Sequence, residues 1–133
     1  YFKKGLTPLK VITVGANKEM ITTMGGLSIK PDISLDECTL ESTDLIILPG
    51  GTTWNEEIHQ PILERTGQAL KLGTIVAAIC GAIEPLANMG YLNTRKHTTN
   101  NLEYTKMVSP NYKGEKFYEL ESAVSDANLV TAS

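Results

Sequence analysis

The stretch TIVAAICGAIEPLANMG, residues 74–90, decides the fold. Residues 74–79 form an apolar, β-prone run of the kind that a central parallel strand carries. Cys80-Gly81 follows without a linker, and residues 82–89 read as a helix that ends at Gly90. Pro85 fits such a helix only in its first turn. A strand that enters a helix through one residue must turn tightly, and the side chain at the turn is lifted clear of the sheet. The small residues Ala77, Ala78, Gly81 and Ala82 around this turn permit close backbone approach.

Upstream, residues 44–48 (DLIIL) are a second strand of the same type, broken by Pro49-Gly50-Gly51. Residues 56–72 lie between the two and read as a helix. Ile58, Ile62, Leu63, Leu70 and Leu72 supply its apolar face, Pro61 marks the first turn and Gly73 fits the C-cap. Strand, helix, strand, helix with short links predicts a mostly parallel sheet covered on both faces. Sites in such sheets lie beyond the carboxyl ends of the strands, here Pro49-Gly50-Gly51 and Cys80-Gly81.

Further out, residues 9–14 (LKVITV) read as a buried strand ending at Gly15. Residues 21–23 and 27–29 suggest a hairpin with a primed turn at Gly25-Gly26, and residues 34–37 a single helical turn. Downstream, residues 97–99, 117–120, 123–125 and 129–132 read as short strands, residues 101–108 as a brief helix and residues 110–114 as a loop. A turn over residues 126–128 joins the last two strands.

With 133 residues and 41% hydrophobic content, the chain is expected to form one domain with a core of its own. The net charge is -3, and the pairs Lys3-Lys4 and Arg95-Lys96 are too short for a basic patch, so no nucleic-acid partner is expected. No apolar run approaches the roughly 18 residues that a membrane span needs. The opening YFKKG lacks the plan of a signal peptide. Cys38 and Cys80 match neither a disulfide framework nor a metal spacing; a reduced cytoplasmic setting is expected, with one disulfide as the alternative. Gly50-Gly51 belongs to no GxGxxG or Walker pattern, so neither nucleotide, cofactor nor metal is expected. The initial Tyr1 and the strand-like ending NLVTAS lead to the expectation of missing sequence on both sides.

Cys80 is the candidate nucleophile. Its thiol would face the start of the following helix, which favours the thiolate. The amides of Gly81 and Gly51 are candidate oxyanion donors. The competing reading makes Cys80 a small buried hydrophobe. His97 and His59 are the histidines available as a base, and each also suits a packed or surface role. Glu84 is read as complementing the helix N-terminus. Trp54, after the Gly-Gly loop, walls a pocket or simply packs; Asn100 and Asn101 offer amide donors. Cys38, in the polar connection DECTLEST, is read as structural.

Four stretches carry a family resemblance: MITTMGGLSIKPDISLDE (20–37), DLIILPGG (44–51), IVAAICGAIEPLANMGYLNTRKHTTN (75–100) and AVSDANLVTAS (123–133). In this order and spacing they resemble the DJ-1/PfpI (ThiJ/PfpI) family of the class I glutamine-amidotransferase-like superfamily. The GG-x-x-W and H-T-x-N patterns are similar to those of bacterial members labelled intracellular protease/amidase. The resemblance implies a flavodoxin-like three-layer α/β sandwich, with its first strand and last helix outside residues 1–133, and a homodimer. It places the elbow cysteine on Cys80, the oxyanion amides on Gly51 and Gly81, and pocket-lining positions on Gly50, Trp54 and Asn100. The family's glutamate is expected ahead of Tyr1. Gly81 stands where PfpI-type proteases carry a histidine, and the downstream histidine of DJ-1-like members falls near Asn100, three residues after His97. The late His-x-Glu of true glutamine amidotransferases has no counterpart here.

The expected function is therefore a cysteine-dependent hydrolase or lyase acting on a small carbonyl, amide or peptide substrate, with Cys80 as nucleophile and His97 as a possible base. The alternatives are a redox or stress sensor or chaperone-like protein using the same thiol, and an amidotransferase-like protein without that activity.

Overall fold

The computed structural model describes residues 9–133; the opening YFKKG and the Lys3-Lys4 pair lie outside them. The described residues divide into two compact units, one ending at Cys38 and one spanning Thr39–Ser133.

In the first unit, β1 (Val14–Gly15) runs parallel to β4 (Ile33–Ser34), and β2 (Ile21–Thr22) pairs antiparallel with β3 (Ser28–Ile29). The strand expected over residues 9–14 contracts to Val14–Gly15, and Leu9 and Val11 are exposed. Part of the reason is Asp32, whose Oδ2 accepts both the N–H and the hydroxyl of Thr13 at 2.8 Å. A side chain thus satisfies Thr13 where a longer ladder would have used a neighbouring strand. The hairpin turn is also not the expected primed type. Gly26 N–H donates to Thr23 O and Thr23 N–H to Leu27 O, so the loop has three residues. Gly26 alone takes the left-handed conformation, φ +82, as a bulge of this loop class requires. Residues 35–37 form a 3-10 turn closed by a capping box between Ser34 and Glu37.

The second unit holds a four-stranded sheet in the order β5-β6-β8-β7. β5 (Leu45–Leu48), β6 (Ile75–Ile79) and β8 (Leu129–Ala132) are parallel; β7 (Ala123–Asp126) closes the edge antiparallel to β8. α1 (Gln60–Leu72) follows a 3-10 turn at Glu57–His59, has Pro61 at its start and ends on Gly73 at φ +86. α2 (Ile83–Asn88) and α3 (Leu102–Val108) complete the helices. Leu48, Val76, Ala78 and Leu129 from the sheet share one core with Leu63, Ala69 and Leu70 of α1 and Ile83, Leu86 and Ala87 of α2. This is an α/β fold with a mixed sheet and helices, consistent with a flavodoxin-like arrangement.

Within this unit the helices cover one face. The alternate positions Leu45, Ile47, Ile75 and Ile79 are 38–57% exposed on the other, so the two-sided burial expected for these strands is met on one side only. The strands expected over residues 97–99 and 117–120 reduce to one bridge between His97 and Tyr118. A 3-10 turn takes Glu115–Phe117, and Thr98 gives its N–H to the Thr131 hydroxyl instead of a neighbouring backbone. No helix among the described residues is long and apolar enough to cross a membrane.

The β7–β8 turn is tied to the rest by Asn128. Its amide nitrogen donates to the carbonyls of Leu70 and Thr74 at 3.0 and 2.9 Å, and its carbonyl accepts from Arg95 at 3.0 Å. Removing it takes a side-chain donor from two backbone acceptors, at the end of α1 and the start of β6, of which Leu70 keeps the Gly73 N–H at 3.3 Å. Asn128→Ala is expected to lower the unfolding free energy by about 2 kcal/mol, read from urea titrations. A loss below about 0.5 kcal/mol would show that water replaces these bonds without cost.

Candidate active site

Because β5 and β6 are parallel neighbours, with Leu48 opposite Ala78, their carboxyl ends emerge side by side. β5 runs into Pro49-Gly50-Gly51 and β6 into a 3-10 turn at Cys80–Ala82 that leads to α2. Cys80 is exposed and adopts φ +53, one of two non-glycine residues with positive φ among those described. An L-residue held there costs on the order of 1–3 kcal/mol, and such strain collects at functional sites. The two loops touch closely. The carbonyl oxygen of Gly51 occupies the place where a Cβ on Gly81 would stand, and a Cβ on Gly50 would sit 3.2 Å from Cys80 Cβ and 3.8 Å from its Sγ. Both glycines thus permit the loop contact that flanks the thiol.

The thiol has one side-chain hydrogen-bond partner described. Asn100 Nδ2 donates to Cys80 Sγ at 3.0 Å. Asn100 is held by its neighbours on either side. Thr98 is bonded to Thr131 Oγ1 of β8 through its N–H and to the carbonyl of Glu121 through its hydroxyl, at 2.8 and 2.7 Å. Asn101 caps α3, its side chain accepting from Tyr104 N–H at 2.9 Å. The amide is therefore delivered to the thiol from a segment pinned to β8 at one end and to α3 at the other.

His97 is placed differently. It is fully buried, with Nδ1 2.7 Å from the carbonyl of Arg95 and Nε2 2.7 Å from the hydroxyl of Tyr112. A carbonyl only accepts, so Nδ1 carries the proton and Nε2 accepts from Tyr112. Burial holds the imidazole below the ordinary histidine range, against the opposing effect of the Arg95 carbonyl. Burial also pushes the Tyr112 hydroxyl up to about 12. Both ring nitrogens are thus committed, and the thiol's partner is Asn100. Trp54 is half-buried against the core and donates through Nε1 to the carbonyl of Pro49 at 2.9 Å, which braces the Gly50-Gly51 loop. His59 lies beside it, ring centroids 5.3 Å apart, with Nε2 3.2 Å from the Thr53 hydroxyl.

Glu84 stands in the first turn of α2, the position that its expected role beside the helix N-terminus requires, and it is buried there. It is 5% exposed, and one carboxyl oxygen, Oε2, is buried without a hydrogen-bond partner. Desolvation pushes its carboxyl above the usual range, partly offset by the Thr105 hydroxyl 3.2 Å from Oε1. Neither Glu84, Thr105 nor Tyr112 stands out in the sequence as part of a buried polar cluster. The only available signal is that Glu84 falls four residues after Cys80 on a helix whose other residues, Asn88 apart, are apolar.

Two clefts, of about 610 Å³ beside Asn88, Asn93 and Lys113 and about 530 Å³ beside Glu41, Asp44 and Thr74, lie away from the thiol. The chemistry of the residues favours the exposed Cys80 elbow over either cleft as the candidate site. Among the described residues, no three His, Cys, Asp or Glu side chains gather so as to hold a metal ion.

The profile of the DJ-1/PfpI family matches residues 2–133. The crystal structure of a ThiJ/PfpI family protein from Bacillus anthracis is 88% identical and superposes with a TM-score of 0.95, covering 100% of this chain and 63% of that one. A DJ-1 superfamily protein from Agrobacterium tumefaciens is 32% identical, with a TM-score of 0.81 over 91% of this chain and 64% of its own. The uncharacterized protease YoaZ of Bacillus subtilis is 74% identical over 133 residues, all of this chain and 63% of its own length. The chain thus spans somewhat less than two thirds of these relatives.

Proposed function

Given that the chain belongs to the DJ-1/PfpI family, we propose that it uses Cys80 as the nucleophile of a hydrolase or lyase acting on a small carbonyl or amide substrate. The observation that carries this reading is the exposed thiol at a strained strand-to-helix turn, with the Asn100 amide 3.0 Å from its sulfur. The bond donates toward sulfur and holds the side chain in one orientation at the turn. In the reading proposed, the sulfur of Cys80, as thiolate, adds to the carbonyl carbon, forming a C–S bond while the carbonyl π electrons pass to oxygen. The amides of Gly51 and Gly81 are assigned to the resulting oxyanion. The label of YoaZ as an uncharacterized protease agrees with acyl chemistry of this type.

The test is turnover of α-oxoaldehydes, simple amides and short peptides by the wild type and by Cys80→Ala. Turnover by the wild type and none by the variant, with its circular dichroism unchanged, is the expected result. Undiminished activity of the variant would exclude Cys80 as nucleophile. A second reading, sensing of oxidants by the same thiol, is favoured by Asn100 itself, since an amide donates a hydrogen bond but accepts no proton as a base. Selective oxidation of Cys80 over Cys38 by mild peroxide, without turnover of any of these substrates, would decide for it.

A further inference from the structure

Glu84 is a buried titratable group that the proposed chemistry does not use. The Thr105 hydroxyl lies 3.2 Å from Glu84 Oε1 and 3.1 Å from the carbonyl of Asn101. It owns one hydrogen. If Glu84 were a carboxylate, that hydrogen would be shared between two acceptors, and Oε2 would be a charged oxygen buried without a partner, the costliest arrangement available. If Glu84 is protonated on Oε1, every contact becomes a bond. Glu84 donates to Thr105, Thr105 donates to Asn101, and Oε2 is left as a neutral carbonyl oxygen, which tolerates an unfilled lone pair far better. The groups around it bring no positive charge: Thr105 from α3, Ser109 at its end, whose hydroxyl donates to the Glu84 backbone carbonyl at 3.0 Å, and Tyr112, which bonds the neutral His97.

This bridge has a direction. Glu84 lies on the helix that begins beyond Cys80, and Asn101 precedes α3 and follows Asn100. We propose that Glu84 is a neutral carboxylic acid whose hydrogen bond through Thr105 to Asn101 holds the start of α3, and with it the Asn100 amide, against the Cys80 thiol. Glu84 is on this account a positioning residue; the positioning rests on the reading of Cys80 as the reactive centre, whereas the protonation does not.

Two measurements on the full chain, in a Cys38→Ser background, test the two halves. The first is the rate of iodoacetamide alkylation of Cys80 between pH 6 and 9 in wild type, Glu84→Gln and Glu84→Leu. Glutamine keeps a neutral donor toward Thr105, whereas leucine does not. The expected result is a profile within about twofold of wild type for Glu84→Gln and a rate about fivefold lower at pH 7 for Glu84→Leu. Equal slowing in both variants would show that the charge of Glu84 matters, and no slowing in either would show that it positions nothing; both overturn the proposal. The second is the infrared difference spectrum of wild type against Glu84→Gln at neutral pH, which needs only folded protein. A protonated-carboxyl band present in wild type and absent from the variant is expected; its absence overturns the neutral acid. If the wild-type thiol is no more reactive than an ordinary free cysteine, the positioning falls together with the proposed function, while the infrared band still reports on Glu84 alone.

Discussion

Gly81→Ala is expected to lose about 3 kcal/mol of stability, at the upper end of the range for overpacking. A Cβ at this position would fall on the carbonyl oxygen of Gly51. That obstacle is backbone, held by the β5–β6 ladder with Leu48 opposite Ala78, so it cannot swing aside as a flexible side chain would. Relief requires the Pro49-Gly50-Gly51 loop and the Cys80 turn to separate, which would also move Gly50 from its place beside Sγ. The variant should therefore show a lower urea midpoint together with altered alkylation of Cys80. Gly50→Ala is the control: its Cβ would meet Cys80 Cβ at 3.2 Å, tight but open to small adjustment, and a loss of roughly 1 kcal/mol is expected. A Gly81→Ala protein as stable as wild type would show that the loop contact is looser than described.

Cys80→Gly is expected to abolish thiol chemistry at this site and at the same time to stabilise the fold. Cys80 is exposed, so little burial is lost. At φ +53 any L-residue carries a left-handed penalty that glycine does not. The comparison that isolates this effect is Cys80→Ala, which removes the sulfur but keeps the Cβ. Cys80→Gly should be about 1 kcal/mol more stable than Cys80→Ala in urea unfolding, after the entropic cost of a glycine is offset. Both variants should be equally unreactive. A glycine variant no more stable than the alanine one would mean that the turn is not strained. The opposing signs are the signature of a position where conformation is held for chemistry at the expense of stability.

The fold was legible where local chemistry and long-range packing agree. The runs at residues 44–48 and 74–79 are strands because their apolar, β-prone composition suits a sheet, and Gly73 ends α1 because the left-handed C-cap favours glycine. The junction at Cys80-Gly81 was legible for the same reason: an apolar run that meets small residues without a linker leaves room only for a tight turn. Reading failed where a side chain took over the role of backbone. Asp32 satisfies Thr13 in place of a strand, and the Thr131 hydroxyl takes the N–H of Thr98, so residues 9–13 and 97–99 do not extend ladders that their composition would allow.

The amino-acid sequence by itself determined the class of fold, the order of its main strands and helices, and the turn on which Cys80 stands, because these follow from composition and period over a few residues. Only the tertiary structure decided what surrounds the thiol. The approach of Asn100 to Sγ, the burial of His97 against Tyr112 and the enclosure of Glu84 beside Thr105 join residues 15 to 21 positions apart. No local pattern encodes such meetings. They depend on how β6, β8 and α3 bring their ends together, and hydrogen-bond geometry then selects which polar group faces which.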